Sequence, residues 1–167
     1  DLRMDKRLRA VFGEIDLGSV TSSPTDTREG ILAEQESEEA KQIKAITTMV
    51  SNSPHFKELV PETGLVTTTK EFISQPDGNR IKIQYIRPDT DEELPCVYYI
   101  HGGGMMIYSC FDEMYAAWGR CIARQGVAVA MVDFRNAMWE SSAPEIEPFP
   151  AGLNDCVSGL KWVHASA

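Results

Sequence analysis

The chain has 167 residues, 43% hydrophobic and 25% charged, which is enough for a folded domain with a real core. A formal net charge of -9 argues against nucleic acid or an anionic membrane as partner, and no apolar run is long enough to span a bilayer. Cys96, Cys110, Cys121 and Cys156 lack metal-ligand spacing; the opening DLRMDKRLRA carries no secretion signal, so they read as reduced thiols of a cytoplasmic protein with no bound metal.

In chain order, residues 5–17 predict an amphipathic helix: Leu8, Val11, Phe12 and Ile15 share a face, and Gly18 ends it. A polar linker, SVTSSPTDTREG, follows at 19–30. A second helix is predicted over about 33–50, acidic at its start, with Ala40, Ile43, Ile46 or Thr47, and Val50 as its apolar stripe. No strand signal precedes about residue 65, so residues 1–60 are expected to form a helical extension and 61–167 the main domain. LVTTTKEFIS and IKIQYIRP read as half-buried strands, the second alternating Ile81, Ile83 and Tyr85, and QPDGN between them predicts an antiparallel hairpin. PCVYYI (95–100) and VAVAMVD (127–133) are apolar throughout, as expected of strands covered on both faces. Residues 111–125 predict a helix with Met114, Trp118, Cys121 and Ile122 inward; 151–164 predict another with Leu153, Cys156, Val157 and Leu160 inward. Alternating strands and helices point to an α/β fold with a parallel sheet.

Three glycines, Gly102, Gly103 and Gly104, follow the strand CVYYI and His101. That position, at the carboxyl end of a central strand, is where open α/β sheets place ligands. Bare backbone there suits either phosphate cradling or an oxyanion hole. HGGGMMIYS has neither the spaced glycines nor the lysine of a phosphate loop. Adjacent glycines do let successive N–H groups point at a developing oxyanion. A tight strand-to-helix turn without chemistry is the plain alternative.

Further landmarks follow in order. CVYYIHGGG, GVAVAMVDFRNA and APEIEPFPAGLNDCVSGLKWV together resemble the hormone-sensitive lipase family of α/β-hydrolase esterases, most closely its brefeldin A esterase branch. The likeness covers roughly residues 65–165; Phe134 stands for a tyrosine, and MWESS interrupts the family's R-x-A-P-E element. The resemblance implies the N-terminal half of an α/β-hydrolase fold, a mostly parallel doubly wound sheet with a helical N-terminal cap, acting on a small-molecule ester without a cofactor. It implies that Gly103 and Gly104 are the oxyanion donors, that Gly102 shapes the turn and that His101 holds the loop rather than acting as base. Asp133 and Arg135 resemble the family's buried polar pair that braces the loop after the strand, solvated loop charges being the alternative; Asp155 fits a supporting position at a helix start, a plain surface aspartate being the alternative. Met105, Met106 and Tyr108 either line the substrate pocket or pack in the core.

A G-x-S-x-G elbow occurs nowhere in the chain. His55, His101 and His164 are its histidines, and none accompanies a serine elbow. The family order puts serine, acid and histidine downstream, so the triad is expected in a C-terminal half of the same protein, on this chain or a separate one, and CVYYI is expected to form an open edge without it. Two other readings share these residues. One is a small-molecule receptor of the same fold; the other is an amidase such as an arylformamidase. Homodimerisation stays open.

Overall fold

The computed structural model describes residues 27–166 and Lys6. The helix expected over 5–17 lies outside the described residues. The chain forms two compact units, Asp1–Lys41 and Gln42–Ala167.

Where the sequence predicts one helix over about 33–50, the structure has two, α1 (Arg28–Glu34) and α2 (Glu38–Ser51). Side-chain caps explain the break. Thr27 Oγ1 accepts from Gly30 N at 3.1 Å and Ser37 Oγ from Ala40 N at 3.1 Å, each satisfying an amide that the first turn leaves free. The apolar stripe also differs from expectation. Ile43, Ile46, Met49 and Val50 are exposed, and Ser51 is buried. Polar groups hold this end of α2: Lys44 meets Glu140 at 3.1 Å, and Asn52 Nδ2 donates to Asp112 at 2.9 Å. A short helix, α3 (His55–Leu59), follows.

β1 (Leu65–Ile73) and β2 (Arg80–Pro88) form the predicted antiparallel hairpin, with Phe72 opposite Ile81. β3 (Cys96–Ile100), α4 (Glu113–Ala123), β4 (Ala128–Val132) and α5 (Ala151–Ala165) complete the second unit. The sheet is open, in the order β1-β2-β4-β3. β4 runs parallel to β3 and antiparallel to β2, so the described sheet is mixed. β4 is buried at every residue, as its unbroken apolar sequence predicts. β3 lies at the edge of the sheet, as expected for CVYYI, but its faces are less covered than predicted: Val97 and Ile100 are 37% and 48% exposed.

Both long helices of the second unit turn a partly different face to the sheet than predicted: Cys156 is buried and Ile122 packs on the core as expected, but the other large side chains do not follow. α4 buries Ala116, Gly119, Arg120 and Ala123, while Trp118 is 53% exposed. α5 buries Gly152, Asp155, Cys156 and Gly159, leaving Leu153, Val157 and Leu160 largely exposed. The reason is close approach. A Cβ on Gly119 would collide with Met131 Sδ and lie 2.9 Å from Ile86 Cδ1; one on Gly159 would collide with the Tyr98 hydroxyl and lie 3.0 Å from Phe72 Cζ. The core thus lies in two layers. Phe72, Ile81, Ile83, Val132 and Phe134 face α5; Ile86, Val129, Met131 and Ala123 pack on the α4 side.

Candidate active site

β3 delivers His101 and the three glycines to the carboxyl edge of the sheet. Gly103 and Gly104 have φ of 114° and 66°, a region that side chains with a Cβ rarely enter. A Cβ on Gly103 would strike Ile107 O and approach Tyr108 Cδ2 at 2.9 Å. The turn closes on the same glycine, whose carbonyl accepts from Met106 N at 3.1 Å and Ile107 N at 3.3 Å.

His101 is buried behind this turn, stacked on Phe134 with centroids 4.3 Å apart and planes 11° apart. Its Nδ1 lies 2.8 Å from Gly102 O, so that nitrogen carries the proton it donates to the carbonyl. Nε2 lies 3.9 Å from Asp133 Oδ1 and takes no hydrogen bond among the described residues. Burial lowers the imidazole pKa, against smaller opposing effects of the Gly102 carbonyl and Asp133. The ring is therefore neutral near pH 7.

Asp133 and Arg135 are both buried, yet they do not pair with each other as expected. Asp133 Oδ1 accepts from Ser109 Oγ at 2.7 Å and Cys110 N at 2.8 Å, and Oδ2 from Ser142 N at 2.6 Å. It thereby ties the segment after the glycines to the segment after β4. Arg135 instead donates to Asp155, from Nε at 2.9 Å and Nη2 at 2.8 Å, and from Nη1 to Asp77 at 2.7 Å. Asp155 also accepts from Ser74 Oγ at 2.5 Å. Asp155 is fully buried, which overturns the surface-aspartate alternative. The Asp155 hydrogen bond raises the Arg135 pKa, and Arg135 lowers that of Asp77.

The three expected pocket residues part company. Met105 packs against the core that holds Phe134 and Cys156. Met106 is 44% exposed. Tyr108 turns its ring edge-on to Tyr115 at 5.8 Å and Trp139 at 6.4 Å. An open apolar groove of about 380 Å³ runs beside the loop, lined by Phe56, Leu59, Tyr99, Met114, Tyr115 and Trp118. Sequence reasoning did not single out Tyr115, whose hydroxyl would lie 3.0 Å from a Cβ on Gly102. Nor did it single out Asn136, buried with its Nδ2 2.6 Å from Tyr108 O. Neither sits in a spacing that marks it. His55 pairs with Glu58 at 3.0 Å, and no serine–histidine hydrogen bond occurs among the described residues. No described helix is long and apolar enough to cross a membrane.

Known proteins share this arrangement. The BD-FAE family model matches residues 83–167. The solved structure of esterase Est22 superposes with a TM-score of 0.90 at 51% identity, covering 99% of this chain and 47% of that one. Brefeldin A esterase, titled a bacterial homologue of human hormone-sensitive lipase, gives 0.74 at 28% identity, covering 99% and 45%. Among curated proteins, 3-O-acetylpapaveroxine carboxylesterase CXE1 of Papaver somniferum is 32% identical over 124 residues, 70% of this chain and 35% of the relative. Tabersonine synthase of Catharanthus roseus is 34% identical over 104 residues, 62% of this chain and 30% of the relative. The chain spans about a third of those two curated relatives and about half of the two solved structures. With more than half its residues matched by the family model and its sheet, glycine loop and helices laid out as above, the chain belongs to the BD-FAE family and shares the α/β-hydrolase fold of the hormone-sensitive lipase group.

Proposed function

We propose that the protein is a carboxylic-ester hydrolase of the serine type and that this chain supplies its oxyanion half. One observation carries the reading: the glycine turn at the end of β3, held in a backbone conformation that only glycine adopts freely at Gly103 and Gly104. The similarity to Est22 and to carboxylesterases supports it. In this reading a serine Oγ attacks the ester carbonyl, and a histidine takes its proton. The Gly103 and Gly104 N–H groups donate to the oxygen that becomes negative. Collapse expels the alcohol, which receives the histidine's proton, and water then releases the acid by the same route. Each such donor is worth about 2.7–4 kcal/mol to the transition state. Serine, acid and histidine belong to a downstream part of the protein. His101 has no role as base, because it is buried and its protonated nitrogen is turned to Gly102.

Residues 1–60 form a cap that selects among esters in this proposal. The exposed row Ile43, Ile46, Met49 and Val50 on α2 supports that part. A synthase among the relatives shows that related chains are not all named for hydrolysis, so the activity needs a direct test. The full-length protein should turn over p-nitrophenyl butyrate and be labelled by an active-site serine phosphonate. No turnover together with no labelling overturns the proposal.

A further inference from the structure

We infer that Asn136 is a positioning residue for the oxyanion loop; the inference rests on the ester-hydrolase reading and deepens it. Beyond Gly104 the backbone stays unusual. Met105 and Tyr108 have φ of 58° and 76°, left-handed values that non-glycine residues hold only where their surroundings impose them.

The segment after β4 imposes them. Ala137 N donates to Met105 O at 3.0 Å, and Met138 N and Trp139 N donate to Met106 O at 3.2 and 2.9 Å. The Tyr108 carbonyl is held differently, by the Asn136 side chain, Nδ2 to O at 2.6 Å. Asn136 is in turn fixed through its own carbonyl, which accepts from Glu147 N at 3.0 Å. These bonds fix both ends of the turn that closes on the Gly103 carbonyl. Releasing Tyr108 frees the far end and lets the Gly103 and Gly104 N–H groups rotate.

A second observation separates this role from plain stability. Asn136 is fully buried, and its Oδ1 takes no hydrogen bond among the described residues. A buried acceptor without a donor costs stability, so an apolar side chain would serve packing better. The donor end accounts for the asparagine. The MWESS stretch that splits the R-x-A-P-E element thus belongs to the same clamp. Trp139 meets the Tyr108 ring edge-on, and Lys44 of α2 lies 5.6 Å from the Trp139 ring centroid.

The test uses the full-length protein and the variants Asn136→Ala and Asn136→Leu. Expected is a fall in kcat of between about 10- and 100-fold, the scale of a misplacement of up to 1 Å. Affinity for a trifluoromethyl ketone should fall in parallel, with KM changed less than about twofold, because the lost contact acts on the tetrahedral state. Amide hydrogen exchange over residues 102–108 should speed up. A purely structural role would lower thermal stability and leave kcat, ketone affinity and exchange at wild-type values; that result overturns the inference. If neither variant folds, the inference also falls, since the residue is then needed for stability itself. An inactive wild-type protein would sink the ester-hydrolase reading alone, because loop exchange still decides whether Asn136 holds the turn.

Discussion

Arg135 and Asp155 form a fully buried ion pair, Nε to Oδ2 at 2.9 Å and Nη2 to Oδ1 at 2.8 Å. The pair joins the segment after β4 to α5. Removing one partner strands the other charge in the core. Arg135→Met in the full-length protein should therefore cost about 3–5 kcal/mol in urea unfolding. A loss under about 1 kcal/mol would mean that Asp155 finds another partner.

The helix faces can be tested by adding a single methyl group. Gly119→Ala and Gly159→Ala place a Cβ against the side chains of Met131 and Tyr98 in the sheet, which leave no room for one without shifting. Each substitution should destabilise by about 1–3 kcal/mol through overpacking, although alanine is the better helix former. A rise in melting temperature would show that the helices stand further from the sheet than described.

His101 links stability to pH. Burial lowers its folded pKa below the ordinary 6.5. Between that lowered value and 6.5 the unfolded chain binds the proton and the folded chain does not, so stability falls as pH drops through this window. His101→Phe keeps a ring against Phe134 and removes the titration. Melting curves from pH 7.5 to 5 should show a steeper decline in the wild type than in the variant. Parallel slopes would mean that the imidazole titrates alike in both states.

The cap proposal concerns the start of the chain. Leu8, Val11, Phe12 and Ile15 make an apolar face on the helix expected there, and burial of each such side chain is worth about 1.5–3 kcal/mol. Deleting residues 1–17 from the full-length protein should raise KM or shift the preference between short and long acyl chains. An unchanged acyl-chain profile, KM and melting temperature would identify the segment as a solvated arm.

Much of this molecule was written in its sequence because the relevant forces are local. The hairpin follows from two strand-like runs flanking the turn residues QPDGN, the buried β4 from an unbroken apolar run, and the glycine loop from three residues that relax the backbone where they stand. The tertiary structure alone decided which faces meet. Trp118, Leu153, Val157 and Leu160 dominate any hydrophobic count, yet Gly119 and Gly159 face the sheet, because approach distance depends on what stands opposite. Asp133 and Arg135 likewise read as a polar pair from the family resemblance. Their partners, Ser109, Ser142, Asp77 and Asp155, come from four other stretches of chain that only folding brings together. The clamp by Asn136 was equally illegible, since it depends on the left-handed turn at Tyr108 that no local residue type announces.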